Sequence, residues 1–117
     1  MISIESEERP WGRFYVLHDE TTYKLKKIEV DPGGRLSYQF HHKRPDAWTI
    51  VEGVGSITLD GDVKDYSKGE TILIPQGVKH RIENKGKEKL FLLRCKQAAT
   101  LEKTILYVLK MIIIEPR

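Results

Sequence analysis

The chain has 117 residues, 39% hydrophobic, 32% charged and 9% aromatic, which fits one folded domain and excludes a purely disordered protein. Its formal charge of +3 is uneven: residues 1–93 carry 15 Lys and Arg against 15 Asp and Glu, and the excess lies in 94–117. There Arg94, Lys96, Lys103, Lys110 and Arg117 stand among apolar residues rather than along a phosphate-tracking stripe, so no nucleic-acid partner is expected.

Short apolar or alternating runs, each bounded by Gly, Pro, Asp or Asn, predict strands at 13–17, 23–30, 36–41, 47–52, 55–59, 63–66, 71–74, 80–83 and 90–95. Between them, Asp31-Pro32-Gly33-Gly34 and Pro75-Gln76-Gly77 read as turns, and Asp60-Gly61 as a hairpin. After Cys95 the character changes, with few turn residues and no clean period. Helix is expected over 98–109 and a final strand over 112–114, the whole packing on the barrel or on a second copy of the chain. The single cysteine excludes an intrachain disulfide, and no charged-apolar-small leader opens the sequence. The apolar stretch 104–114 is interrupted by Lys110 and falls short of the roughly 20 residues of a spanning helix. A cytoplasmic protein without a membrane partner is the expectation.

Chemistry gathers around the histidines. Along 36–41 the alternation of a strand puts Leu36, Tyr38 and Phe40 on one face and Ser37, Gln39 and His41 on the other. Asp46 follows a short Lys43-Arg44-Pro45 turn, and His80 opens a later strand, so two imidazoles, a carboxylate and an amide oxygen could meet. Arg13, Lys26, Arg35, Lys43, Arg44 and Arg81 are cations able to hold a phosphate, although most basic residues on strands are solvated. Trp11 and Trp48 read as core filling.

These residues carry a family resemblance. Gly33, five residues, Gln39-Phe40-His41, four residues, Asp46, six residues and Gly53 resemble the first cupin motif, which has H-x-H and Glu at the liganding positions. Gly69, Pro75, Gly77, His80 and Asn84 match the second cupin motif in full. Arg9-Pro10-Trp11-Gly12, Lys24 to Ile28, Leu36 to Arg44 and Trp48 are similar to the cupin domain of type II mannose-6-phosphate isomerases, also found fused to mannose-1-phosphate guanylyltransferases. The resemblance covers about residues 9–93. It implies an all-β double-stranded β-helix, the jelly-roll barrel, over a single domain with a core at about 9–95. It also implies a divalent ion (Zn, Mn, Co, Ni or Fe) on Gln39, His41, Asp46 and His80. The implied activity is metal-dependent interconversion of mannose 6-phosphate and fructose 6-phosphate, with Lys26 and Arg13 catalytic or steering the phosphate, and Arg35, Lys43, Arg44 and Arg81 on the substrate. A homodimer is expected. Gln39 and Asp46 depart from the general cupin pattern, and the family has histidines where Lys43 and Ala47 stand.

The tail departs further. Residues 94–117 match nothing in the family's ending, which contains a Glu-Asp-Asp-Ile-x-Arg segment. Permitted codons for 93–115, regrouped by one base, can nevertheless spell Glu-Val-Gln-Thr-Gly and then Glu-Asp-Asp-Ile-Val-Arg, so the tail reads as a shifted frame. Loss of that segment favours a second reading, a non-catalytic sugar- or sugar-phosphate-binding cupin. A third, another metal-cupin enzyme, is disfavoured by Arg9-Pro10-Trp11-Gly12.

Overall fold

The computed structural model describes residues 5–20, 23–38 and 45–97. They form nine strands: β1 Glu5–Arg9, β2 Gly12–Asp19, β3 Tyr23–Val30, β4 Asp46–Glu52, β5 Val54–Leu59, β6 Asp62–Ser67, β7 Thr71–Ile74, β8 His80–Glu83 and β9 Leu90–Gln97. Six make one sheet in the order β1-β2-β3-β9-β4-β7, and three make a second in the order β6-β5-β8. Every pairing is antiparallel.

Alternation along each strand sets what faces inward. Ile28 and Val30 of β3, Trp48 and Ile50 of β4, Ile72 and Ile74 of β7, and Leu90 and Leu92 of β9 meet Ile57 of β5 and Ile82 of β8, all buried. This is the core between the sheets of a sandwich, packed from both inner faces. The fold is the expected all-β jelly roll. A second cluster, Leu17, Leu25, Leu93 and Cys95, lies on the opposite face of the large sheet with Tyr15, Tyr23 and Val51 against it.

Turn chemistry explains the corners. Leu59 pairs with Asp62 across Asp60 (φ 46°) and Gly61 (φ 88°), the two positive-φ residues that an Asp-Gly hairpin needs. Gly53, at φ 85°, divides β4 from β5, and a Cβ there would stand 2.8 Å from the Lys89 carbonyl oxygen.

Three elements differ from the sequence reading. β1 was not expected: Glu5 to Arg9 is exposed throughout and has no apolar alternation, and only its ladder to β2 makes it a strand. Its charged side chains protect a sheet edge. The described part of the expected strand 36–41 is not one. Arg35 forms a lone bridge to Glu83, and the Leu36 N–H donates to the Ile82 carbonyl at 3.0 Å, after which the segment leaves the ladder. Leu36 and Ser37 both line the same cavity, so the simple alternation expected there fails. β9, in turn, runs two residues beyond its expected end. The helix expected over 98–109, the strand at 112–114 and the rest of the shifted-frame tail lie outside the described residues, as do Gln39, His41, Lys43 and Arg44.

Candidate ligand cavity

At one end of the barrel interior lies a cavity of about 410 Å³. Trp11, Phe14, Ile28, Leu36, Trp48 and Ile82 supply its apolar wall, and Arg9, Lys26, Arg81, Arg94 and Lys96 converge on it with His80 and Ser37. No carboxylate lines it among the described residues.

Register explains the concentration of charge. On adjacent strands Lys26 stands directly opposite Arg94, and Arg94 directly opposite Trp48, all on the inward face. One step along, Lys24 faces Lys96 and Lys96 faces Asp46. Like charges directly opposite in a sheet repel. Aromatic faces offset part of this: Lys26 Nζ lies 4.5 Å from the centre of the Phe14 ring, and the Arg94 guanidinium 5.9 Å from that of Trp48. Burial, with Lys96 and Arg94 nearby, pulls the Lys26 ammonium down to about 8.

Asp46, 1% exposed, sits behind this group and not on the cavity wall. Its Oδ2 accepts from Nε of Arg94 at 3.0 Å and forms an ion pair with Nη2, also at 3.0 Å. His80 is buried, stands edge-on to Trp48 with ring centres 5.2 Å apart, and its Nδ1–H donates to the Val78 carbonyl at 3.0 Å. That bond places the ring lone pair on Nε2, and burial first of all holds the imidazole below its usual range, hence neutral.

The expected site residues therefore separate. Lys26, His80 and Arg81 line the cavity, and Asp46 touches it through Arg94. Arg13 is instead engaged by Glu29 at 2.6 Å and Glu8 at 2.8 Å, and Arg35 is exposed and away from the cavity wall. Arg94, Lys96, Arg9 and Trp48 were not predicted as site residues. Alternation carried the signal for Arg94, since Leu90 and Leu92 of the same strand face the core.

Of the four expected metal donors, Gln39 and His41 lie outside the described residues, and Asp46 and His80 are the described pair. Among the described residues no three His, Cys, Asp or Glu side chains gather. One oxygen of Asp46, Oδ2, pairs with the Arg94 guanidinium.

Asn84, matched to the second motif, has a structural task. Buried below β8, its Nδ2 donates to the carbonyls of Val30 at 3.0 Å and Glu88 at 2.7 Å, and its Oδ1 accepts from the Gly86 N–H at 3.0 Å.

Comparison with known proteins agrees with this architecture. The chain resembles the cupin domain of Cnp3 from Schizosaccharomyces pombe (TM-score 0.71, 21% identity, 81% of this chain and 70% of that one). It is also similar to a putative sugar phosphate isomerase from Acidithiobacillus ferrooxidans (TM-score 0.62, 26% identity, 67% of this chain and 51% of that one). The mannose-1-phosphate guanylyltransferase of Escherichia coli K12 is 40% identical over 94 residues, 80% of this chain and 20% of the relative. The xanthan biosynthesis protein XanB of Xanthomonas campestris is 34% identical over 93 residues, again 80% of this chain and 20% of the relative. The chain thus spans about a fifth of the curated relatives it matches. The family described as Mannose-6-phosphate isomerase C-terminal matches residues 4–115, and the chain belongs to that family of cupin domains.

Proposed function

We propose that this cupin holds a hexose 6-phosphate in its basic cavity and interconverts mannose 6-phosphate with fructose 6-phosphate. The observation that carries the reading is the composition of the cavity wall: five cations, no carboxylate among the described residues, and two tryptophans. A phosphate dianion offsets the opposed cations, and a sugar ring or its open chain packs on indole faces. The volume of about 410 Å³ lies within the usual range for small-molecule pockets. The family match and the mannose phosphate named in the relatives' titles support the sugar.

Isomerisation moves a proton between C1 and C2 through an enediol, and the cavity holds two groups suited to carrying it. His80 is neutral with its lone pair on Nε2, and Lys26 titrates at about 8. The guanidinium of Arg94 is suited to stabilise negative charge on the enediol oxygens. The test is conversion of mannose 6-phosphate by the purified chain, read as fructose 6-phosphate. Turnover lost in H80A and K26M supports the reading. Binding without turnover leaves a sugar-phosphate-binding cupin, the second reading.

A further inference from the structure

The segment from Gly33 to Tyr38 is fastened on both sides of strand β8. Where it begins, the Gly33 N–H donates to the Asn84 carbonyl at 2.8 Å, the Asn84 N–H to the Gly34 carbonyl at 2.9 Å, and the Leu36 N–H to the Ile82 carbonyl at 3.0 Å. These bonds lie along the edge of β8 that β5 leaves open. Where it ends, the Tyr38 hydroxyl accepts from the Gly61 N–H at 2.9 Å, in the turn between β5 and β6 on the other side of β8. That turn is a firm support, since the Asp60 N–H donates to the Lys79 carbonyl at 2.9 Å and the Lys79 N–H donates to Asp60 Oδ1 at 3.1 Å. Between the two fastenings Leu36 and Ser37 line the cavity. The centre of the Tyr38 ring lies 5.4 Å from the guanidinium carbon of Arg81, a further cavity residue, and 5.9 Å from Nζ of Lys79, which does not line the cavity.

We propose that Tyr38 is a positioning residue of the cavity, holding Leu36, Ser37 and Arg81 in its wall. The hydroxyl ties the segment to a turn that is itself bonded to the start of β8, so the wall is fixed from both ends. The ring face attracts the Arg81 guanidinium and keeps it beside that segment. The benefit to a sugar phosphate rests on the proposed function; the hold on the wall does not. Hydroxyl and ring are separable by substitution, because Tyr38 is 37% exposed and its loss leaves the core intact.

The experiment uses the full chain and the variants Y38F, Y38L and K79M. Both tryptophans of the chain, Trp11 and Trp48, line the cavity, so quenching of their fluorescence by acrylamide reads access to it without any ligand. Expected is at least about 1.5-fold steeper quenching in Y38F and Y38L under native conditions, with K79M like the wild type. Titration with mannose 6-phosphate is expected to be about three- to tenfold weaker in Y38F, weaker again in Y38L, which also loses the ring, and unchanged in K79M. A Tyr38 that serves stability alone lowers the denaturation midpoint but leaves native-state quenching and affinity as they were, and that result would overturn the proposal. Equal losses of affinity in K79M and Y38F would overturn it too, because Lys79 shares the ring but not the cavity. Steeper quenching in Y38F, with no binding of mannose 6-phosphate by the wild type, leaves the role of Tyr38 standing and counts against the sugar-phosphate reading alone.

Discussion

The large sheet carries a buried carboxylate on each face, and the two are treated differently. On the outer face Glu29, 6% exposed, receives Arg13 at 2.6 Å and Lys89 at 2.7 Å, while Glu8 takes the other side of Arg13 at 2.8 Å. Two cations meet two carboxylates, and the network closes on itself. On the inner face Asp46 has Arg94 and Arg9 pairs with Glu7, while Lys26, Lys96 and Arg81 also line the cavity and no carboxylate does among the described residues. A balanced network needs nothing from outside, whereas an unbalanced one in a cavity draws an anion. Charge balance, rather than the presence of cations, separates the structural arginine, Arg13, from the site arginine, Arg94.

Changes that break this comparison can be ranked by size. The largest concerns Asn84, whose amide serves three backbone partners from full burial. N84A is expected to cost about 2–4 kcal/mol of stability in denaturant melts, because it strands two carbonyls and an N–H. Next comes the tail. A chain rebuilt with the regrouped Glu-Val-Gln-Thr-Gly reading removes Arg94 and Lys96 from the cavity and is expected to lose phosphate affinity at least about tenfold. Phosphate binding kept by that chain would show that Arg94 is not the cation. On the outer face, E29Q is expected to cost about 1–2 kcal/mol of stability, since Arg13 and Lys89 reach solvent, with phosphate affinity unchanged. A drop in affinity would mean that the two networks are coupled.

The smallest effect is that of pH. Lys26 is charged below about 8 in the folded chain and below 10.5 in the unfolded one. Between these values the unfolded state binds the extra proton, so stability rises with pH through the window and this contribution is lost as pH falls through about 8. Anion affinity runs the other way and is expected to fall a few-fold from pH 7 to 9 as Lys26 loses its charge. K26M should be weaker at pH 7 and flat across the range; an unchanged profile in calorimetry would remove Lys26 from the site.

Much of the fold was legible because turn chemistry and alternation act locally. The Asp60-Gly61 turn and the inward rows of β3, β7 and β9 follow from residue type and period. β1 was hidden, since five exposed polar residues carry no period and owe their conformation to a neighbour. The second cupin motif marked both His80 and Asn84, yet pattern alone does not tell a cavity residue from a backbone clamp. Arg13 and Arg94 are equally basic on paper; the carboxylates that distinguish them, Glu29 and Asp46, are brought near only by long-range pairing across β2, β3, β4 and β9.

The central claim is that the imbalance on the inner face makes a sugar-phosphate site. Titration of mannose 6-phosphate into the wild-type chain, R94Q/D46N and E29Q tests it most directly. The account predicts saturable one-to-one binding in the wild type, about tenfold or greater weakening in the inner-face variant and none in the outer-face variant. Equal losses on the two faces, or no binding to the wild type, would contradict it.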